Sequence, residues 1–519
     1  MSNHWSTRQY FKNRTQWLIM LVSGICVFGA LATQIRYGLN IWDEGFLWYG
    51  VQRVWQGEVP IRDFMAYDPG RYYWAAISSL WGGKGILDIR LAIGIFQWGG
   101  LGCGLWVLAN SSRRVHASYV CVTALTLLFW MFPRHKLFDI SLSLFLIFLF
   151  TWWIRKPDAT RHLLVGIAIG VAACFGRNHG VYAVVGSCFV FGWLAFEKRA
   201  LPQWKLAGAW VLGIILGFLP VVLACLLVNG FASSFWKSIL FLIDLGGTNL
   251  PLPIPWPWRV PFKSLHFEEG CRQLFVGTAF IGLVVYPIAG LLRMLRQRVR
   301  SGRADAALVA TVSLAIPYAH YAFSRADVGH LAQGIFPALL GGLIWLGTAR
   351  PVLRFSLSGL LLVVSVWISF PSHPGIACRR DENACTPLVV ADQILILPNS
   401  VVADVVLLEK LVGQYAPGQR SFVATPYWPG AYAMFNRRSP LWEIYATTGR
   451  DEAFQKTEIS RLQAAQPGFV LIYDFPLDNR EELRYSNTHA LMDRYVRENY
   501  FELPSPNPSY RIYRPRSSN

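Results

Sequence analysis

The chain has 519 residues, of which 54% are hydrophobic and 15% charged, and its mean hydropathy is +0.34. Soluble proteins carry roughly a quarter charged residues, so this composition excludes an ordinary soluble enzyme and predicts a membrane protein. The net charge is +18, and a strongly positive net charge is also typical of nucleic-acid-binding proteins. Here, however, the basic residues cluster between apolar runs, so membrane topology explains them and no nucleic-acid partner is expected.

Apolar runs fill the first 370 residues. They predict a polytopic α-helical membrane protein of about eleven transmembrane helices, with a small C-terminal extracytoplasmic α/β domain. Several runs are shorter than the ~20 residues that a free-standing span requires, so neighbouring helices should surround them. The runs lie at residues 17–35, 86–109, 118–132, 137–154, 163–175, 181–196, 206–228, 274–292, 306–323, 331–346 and 355–370.

Basic residues predict which ends of the spans face the cytoplasm. Arg8, Lys12 and Arg14 precede the first span, and alternate connections are basic, which the positive-inside rule assigns to the cytoplasm. An odd number of spans places the C-terminal domain outside an inner or plasma membrane. Because Ala30-Leu31-Ala32 resembles a signal-peptidase site, cleavage of residues 1–32 is an alternative to the uncleaved anchor that we expect. The basic connections are Arg113 with Arg114, Arg155 with Lys156 and Arg161, Lys198 with Arg199, residues 293–303, and Arg350 with Arg354.

The composition predicts two domains. Residues 1–370 form the transmembrane domain, with a long first outer loop at 36–85, and residues 371–519 form the soluble domain. Its apolar periodicity predicts helices at 401–415, 451–464 and 485–500, and strands at 421–425, 469–473 and 510–513. The sequence of this domain has no P-loop, HExxH or GxSxG motif, so independent catalysis is not expected there.

Two cysteines, Cys378 and Cys385, lie in one polar stretch after the last apolar run. On the outer side of the membrane the environment is oxidising, so we expect them to form a disulfide. Two free thiols in a linker are the alternative.

Paired carboxylates, Asp43 and Glu44, follow the first span. An ordinary interpretation is that they cap an interfacial helix, where acids are stabilising. The interpretation that we favour is a catalytic carboxylate at the lip of a membrane cavity. A divalent metal ion at these two acids stays open, but no cofactor is firmly predicted, because two adjacent acids are few ligands.

Three short outer hairpins carry ionisable residues where the positive-inside rule predicts few. Ionisable groups at the membrane commonly mark substrate pathways, although snorkelling at helix ends is an ordinary alternative. We predict that the hairpins bind an anion opposite Asp43. Their candidate residues are Arg134 and Lys136, Arg177 and His179, and Arg325, Asp327 and His330.

A second long outer segment covers residues 229–270. Its first part, 231–244, is amphipathic and predicts a helix lying in the membrane interface. The Pro- and Trp-rich run 251–259 must be extended. We expect a lipid-anchored connector here, with a substrate-gating lid as the alternative.

Paired acids and a cationic cluster suit the transfer of a sugar from a polyprenyl phosphate. The acceptor hydroxyl requires a base, which a carboxylate can supply. Cations stabilise the charge that grows on the phosphate as the glycosidic bond breaks. The helices would hold the polyprenyl tail among membrane lipids.

The Asp-Glu pair after the first span, the aromatic segment at 66–74 and the soluble C-terminal part resemble the GT-C class of membrane glycosyltransferases. Within that class the chain looks most like the protein O-mannosyltransferase and aminoarabinose transferase group. The resemblance implies Asp43 as the base, with Glu44 as the alternate, and phosphate-binding roles for Arg177, Arg325 and His330. Substrate-binding candidates also include Asp68 and Arg71, although Asp68-Pro69-Gly70 departs from the Pro-Pro-Leu of that group.

Two other functions stay open at this point. A lipid-linked sugar flippase or transporter would more often show matching halves with broken helices. A non-catalytic membrane scaffold would tolerate replacement of Asp43. The sugar is not specified by the sequence, and neither is the acceptor, which could be a lipid, a glycan or a protein.

Overall fold

The computed structural model describes residues 3–111, 116–199, 203–246 and 250–516. The chain divides into two compact units. Unit 1 consists of Met1–Ile35 and Leu91–Ile376, and unit 2 consists of Arg36–Arg90 and Ala377–Asn519. The predicted basic connection at Arg113 and Arg114 lies outside the described residues.

Long apolar helices make up most of unit 1. The first fifteen α-helices are α1 (Asn3–Gln34), α2 (Asp43–Trp55), α3 (Gly70–Ala76), α4 (Ile86–Ser111), α5 (Ala117–Phe129), α6 (Leu137–Arg155), α7 (Ala159–Phe175), α8 (Arg177–Lys198), α9 (Trp204–Leu227), α10 (Phe231–Asp244), α11 (Phe267–Ser301), α12 (Ala306–Ser324), α13 (Val328–Gly334), α14 (Phe336–Leu346) and α15 (Pro351–Ser369). Of these, α2, α3 and the first turn of α4 belong to unit 2.

Among the described residues, eight helices are long and apolar enough to cross a membrane. Helices α13 and α14 meet at a bend of 60°, and together they count as a ninth span. Helices α5 and α7 are apolar but shorter. Each predicted apolar run coincides with one of these elements. The prediction of a polytopic membrane protein is therefore confirmed.

Glycines allow α7 and α9 to approach closely. Gly166 and Gly170 of α7 face Gly213 and Gly217 of α9. A Cβ on Gly217 would lie 2.0 Å from the carbonyl oxygen of Ile167, so no larger residue fits without separating the helices. Small residues spaced by four commonly mediate such packing in membranes, where apolar burial alone does not favour association.

Helices α16 (Ile376–Arg380), α17 (Asn399–Tyr415), α18 (Pro429–Met434), α19 (Glu452–Ala465), α20 (Tyr485–Thr488) and α21 (Ala490–Asn499) complete the chain with two sheets. Strands β1 (Cys385–Val390) and β2 (Gln393–Pro398) form an antiparallel hairpin. Strands β3 (Val423–Thr425), β4 (Val470–Tyr473), β5 (Tyr500–Leu503) and β6 (Tyr510–Pro515) form a sheet of order β3-β4-β6-β5. Only the β3–β4 pair is parallel.

The predicted elements of this part are largely present. The expected strands at 421–425, 469–473 and 510–513 correspond to β3, β4 and β6. The expected helix at 485–500 is wrong in detail, because the chain breaks at His489 into α20 and α21 and then enters β5 at Tyr500. The β1–β2 hairpin was not predicted, since Pro387 and the polar residues before it obscure the strand alternation.

The β1–β2 hairpin connects both ends of the predicted first outer loop within unit 2. Main-chain hydrogen bonds join Ile396 to Arg36 and Gly38, each at 2.8 Å. At the other end, the Gln393 side chain accepts from the Leu87 amide at 2.9 Å and donates to Asp88 at 3.0 Å. The hairpin thereby holds residues 36–38 and 87–88 on one element.

A disulfide joins Cys378 and Cys385 at the start of this hairpin, as the sequence predicted. Denatured but unreduced protein should therefore react with a thiol reagent at neither cysteine and, after reduction, at both. Cys121 and Cys188, which are free thiols, should react in both samples and serve as internal controls. Modification of Cys378 and Cys385 before reduction would contradict the pairing.

Candidate active site

The paired acids occupy the first turn of α2, which Asn40 initiates. The Asn40 side-chain oxygen accepts from the amides of Trp42 and Asp43 at 2.9 and 3.0 Å. Asn favours such local turns because its short side chain bonds to the backbone two or three residues ahead. Carboxylates in the following first turn are stabilised by the exposed amides and the helix dipole.

Glu44 is held by a buried ion pair with Arg90, which lies one turn into α4. Arg90 Nε and Nη2 each donate to one Glu44 carboxylate oxygen at 2.7 Å. The Arg90 and Glu44 side chains are 1% and 5% exposed. Arg90 Nη2 also donates to the carbonyl of Gly38 at 2.7 Å. Glu44 is therefore a structural anchor between α2 and the first turn of α4, both within unit 2.

Asp43 is partly exposed and contacts Tyr445, which lies between α18 and α19. The Tyr445 hydroxyl donates to Asp43 Oδ1 at 3.0 Å. The side-chain nitrogen of Asn40, Nδ2, donates to Asp43 Oδ2 at 3.3 Å. Burial and the negative charge of Asp43 raise the pKa of Tyr445 well above its ordinary value. Tyr445 therefore stays neutral and acts as a hydrogen-bond donor that orients Asp43.

Two glycines bring α2 against α18. A Cβ on Gly45 would lie 2.6 Å from Gly430 Cα, and a Cβ on Gly430 would lie 2.7 Å from the carbonyl oxygen of Ile41. The Gly430 amide donates to that same oxygen at 2.9 Å. Farther along α2, Gln52 donates to the carbonyl of Ala433 at 2.9 Å. Residues on both sides of the paired acids are thus fixed by the C-terminal part of unit 2.

Asp68 and Arg71 lie in the same unit as Asp43 and are both buried. The Arg71 guanidinium lies 4.7 Å from the centre of the Tyr67 ring. Tyr67 contacts Phe46, which in turn contacts Tyr445. Aromatic contacts therefore connect Arg71 to the surroundings of Asp43, while substrate binding by Asp68 and Arg71 stays a prediction.

In unit 1, His179 is the centre of a buried polar network. Its Nε2 lies 2.8 Å from Asp139 Oδ1, and its Nδ1 lies 2.8 Å from the Tyr318 hydroxyl. All three side chains are buried. Sequence reasoning missed Asp139, although a lone carboxylate in the apolar run 137–154 is a signal of an intramembrane polar site.

The third hairpin is organised around Asp327. Its carboxylate accepts from Arg325 Nε at 3.0 Å and lies 2.9 Å from His330 Nδ1. Burial alone would raise the pKa of Asp327, but the hydrogen bonds and charges of His330 and Arg325 lower it. The Tyr321 ring lies 6.0 Å from that of His179 and 6.4 Å from that of His330. The second and third hairpins are thus close in space.

Arg177 and Arg325 both contact the predicted second outer segment. Arg177 donates to Ser238 Oγ of α10 at 2.8 Å and lies 5.1 Å from the Phe235 ring centre. Arg325 donates to the carbonyl of Leu250 at 3.1 Å. The observed α10 also matches the predicted amphipathic helix. Both cations therefore line this segment.

The first hairpin is placed differently. Arg134 donates to the carbonyl of Gln34, at the end of α1. Arg134 and Lys136 form a single helical turn before α6. That all these cations form one pocket facing Asp43 stays a prediction.

The paired acids do not fit a divalent metal site as they stand. The Arg90 guanidinium donates to both Glu44 oxygens, and its positive charge would repel a second cation there. Throughout the described residues, no group of three or more His, Cys, Asp or Glu side chains is placed to hold a metal ion.

The Glu44–Arg90 pair supports a stability prediction. Glu44→Gln should destabilise the protein by about 3–5 kcal/mol, because it leaves a buried guanidinium without its counter-charge. The double variant Glu44→Leu/Arg90→Met removes both charges and should regain much of that loss. Thermal unfolding in detergent measures both effects, with Glu409→Gln, an exposed acid of α17, as the control. Equal melting temperatures for Glu44→Gln and the control would show that the pair is not an anchor.

No family model and no curated protein match this sequence. Solved structures that match it include crystal structures of ArnT from Cupriavidus metallidurans. The form bound to undecaprenyl phosphate matches with a TM-score of 0.56 and 12% identity, over 100% of this chain and 99% of that chain. The apo form matches with a TM-score of 0.51 and 11% identity, over 96% and 97%. The chain therefore has the fold of the GT-C class of membrane glycosyltransferases, as the sequence predicted.

Proposed function

We propose that this protein is an integral-membrane glycosyltransferase that moves a sugar from a polyprenyl-phosphate donor to an acceptor hydroxyl, with Asp43 as general base. The observation that carries the proposal is the difference between the two adjacent acids. Arg90 binds Glu44 in a buried site, whereas Asp43 is partly exposed and oriented by Tyr445. The fold shared with ArnT, which was crystallised with undecaprenyl phosphate, supports the class of donor.

The proposed step is a displacement at the anomeric carbon. Asp43 takes the proton of the acceptor hydroxyl as the oxygen forms a bond to that carbon. The bond between the anomeric carbon and the phosphate oxygen breaks, and polyprenyl phosphate leaves with the electron pair. No general acid is required, because the phosphate is a stable anion.

Cations of unit 1 have the second role in this proposal. Arg177 and Arg325 present guanidinium groups, which bind phosphate oxygens through charge-assisted hydrogen bonds. Their stabilising effect increases as charge develops on the leaving phosphate. Asp327 holds Arg325 and His330, so it is assigned a positioning role rather than direct contact with the donor.

The outer side of the membrane is the proposed location of the chemistry. Disulfides persist in oxidising compartments, and the Cys378–Cys385 bond lies in the same unit as Asp43. This observation agrees with the orientation that the basic connections predict.

Replacement of Asp43 tests the proposed base. Asp43→Asn keeps the size of the side chain but cannot accept the proton, so transfer should fall by about 100- to 10,000-fold. Binding of undecaprenyl phosphate, measured by native mass spectrometry, should be unchanged. Transfer can be followed as restoration of the envelope glycan and lipid profile of a deletion strain, quantified by mass spectrometry.

Two controls accompany that experiment. Asp392→Asn changes an exposed acid in the β1–β2 turn of the same unit and should keep full transfer. For Glu44→Gln, the decrease in transfer should match the decrease in the amount of folded protein, because Glu44 has a structural role. If Asp43→Asn folds normally and retains full transfer, Asp43 is not the catalytic base, and the result supports a non-catalytic membrane scaffold.

Replacement of the cations should affect the donor. Arg177→Ala or Arg325→Ala should weaken undecaprenyl phosphate binding by about 10- to 100-fold and lower transfer as well, because hydrogen bonds to charged groups typically contribute about 1.5–3 kcal/mol. Native mass spectrometry across a lipid titration measures the binding.

The matched controls separate phosphate binding from packing. Ser238→Ala removes the hydrogen bond to Arg177 but keeps its charge, and should bind the lipid nearly as wild type does. Arg300→Ala, in an exposed turn of α11, should have no effect. Unchanged lipid affinity in both Arg177→Ala and Arg325→Ala would exclude the phosphate site.

A further inference from the structure

Beside Asp43, unit 2 contains a cluster of four aromatic residues: Trp42, Tyr427, Tyr473 and Phe475. The Trp42 ring centre lies 5.2 Å from that of Tyr427, 5.9 Å from Tyr473 and 5.6 Å from Phe475. Tyr473 and Phe475 stack at 4.4 Å. Trp42 precedes the proposed base directly in the sequence, while the other three come from the C-terminal part of the chain. We call this cluster the aromatic platform.

The aromatic platform is not simply a hydrophobic core. Trp42, Tyr473 and Phe475 are each partly exposed, and only Tyr427 is fully buried. The buried core of this unit consists instead of residues such as Val470, Ile472 and Val496. Partly exposed aromatic rings that are fixed by one another form a rigid apolar surface that loses little conformational entropy when a ligand binds.

Carboxylates lie near the aromatic platform, and one of them, Asp474, is paired with Arg511 at 3.1 Å. Besides burial, the carboxylates of Asp478 and Asp474 raise the pKa of Tyr427. Asp43 lies next to Trp42 and accepts from Tyr445, whose ring is 6.1 Å from that of Tyr427. Carboxylates and tyrosine hydroxyls readily bond to neutral hydroxyl groups, and Asp43 and Asp478 disfavour a phosphorylated ligand beside them.

We propose that the aromatic platform binds the acceptor and that this acceptor is an uncharged glycan. The apolar C–H face of a sugar ring packs on an aromatic face, while its hydroxyls reach the surrounding oxygens. A glycan bound there would bring a hydroxyl group to the neighbourhood of Asp43. The proposal rests on the transferase function proposed above, because it specifies the acceptor of that reaction.

Binding is tested without catalysis. Full-length Asp43→Asn protein is titrated with the neutral oligosaccharides that mild acid releases from the host cell envelope, after anion exchange removes the charged fraction. Saturation-transfer NMR should show contacts to sugar C–H protons. Trp42→Ala and Phe475→Ala, each added to the Asp43→Asn protein, should weaken binding about tenfold, as truncation of a central aromatic residue commonly does. Phe501 is an exposed aromatic residue on β5, and Phe501→Ala should leave binding unchanged.

The outcomes separate this proposal from the function on which it rests. If neutral oligosaccharides do not bind, or only the anionic fraction binds, or Phe475→Ala binds as the control does, the glycan proposal is wrong. In that case loss of transfer in Asp43→Asn would still support the transferase. If glycans bind at the aromatic platform but Asp43→Asn retains full transfer, the transferase mechanism fails and the site is a glycan-binding module. Equal melting temperatures in detergent show that each of these variants is folded.

Discussion

Two hydrogen bonds from Arg90 hold the Glu44 carboxylate in a buried site, and the start of α2 depends on them. A buried ion pair adds little net stability compared with apolar residues, but breaking it is costly, so it fixes one geometry. Here it fixes the rotation of α2 and thereby the direction of the adjacent Asp43. Consecutive helical residues point about 100° apart, so when Glu44 is turned inward Asp43 is carried to the partly exposed side.

The C-terminal part of the chain contributes contacts to this arrangement. Gly430 packs against Gly45, Tyr445 donates to Asp43, and the β1–β2 hairpin bonds to both ends of the segment that carries the acids. A soluble domain at 371–519 stays a prediction of the sequence. The contacts of the described residues group Ala377–Asn519 with Arg36–Arg90, the segment that carries the paired acids.

Sequence patterns predicted the spans well, because hydropathy is a local property and each apolar run satisfies its own backbone hydrogen bonds as a helix. They also singled out Asp43 and the ionisable hairpins as candidates, whose roles stay predictions. They could not distinguish Asp43 from Glu44, since the partners that do so, Arg90 and Tyr445, are 46 and 402 residues away. Asp139 was missed although its apolar surroundings in the sequence mark it as unusual, because its partner His179 comes from another helix.

The network around His179 shows what a polar site in the membrane unit requires. A buried imidazole in apolar surroundings is costly unless both ring nitrogens have partners. Asp139 and Tyr318 provide them and fix the ring orientation. His179 is two residues from Arg177 in the first turn of α8, so fixing the imidazole also fixes the backbone that carries this guanidinium. The buried residues therefore position the helix end that carries Arg177, which contacts α10 through Ser238.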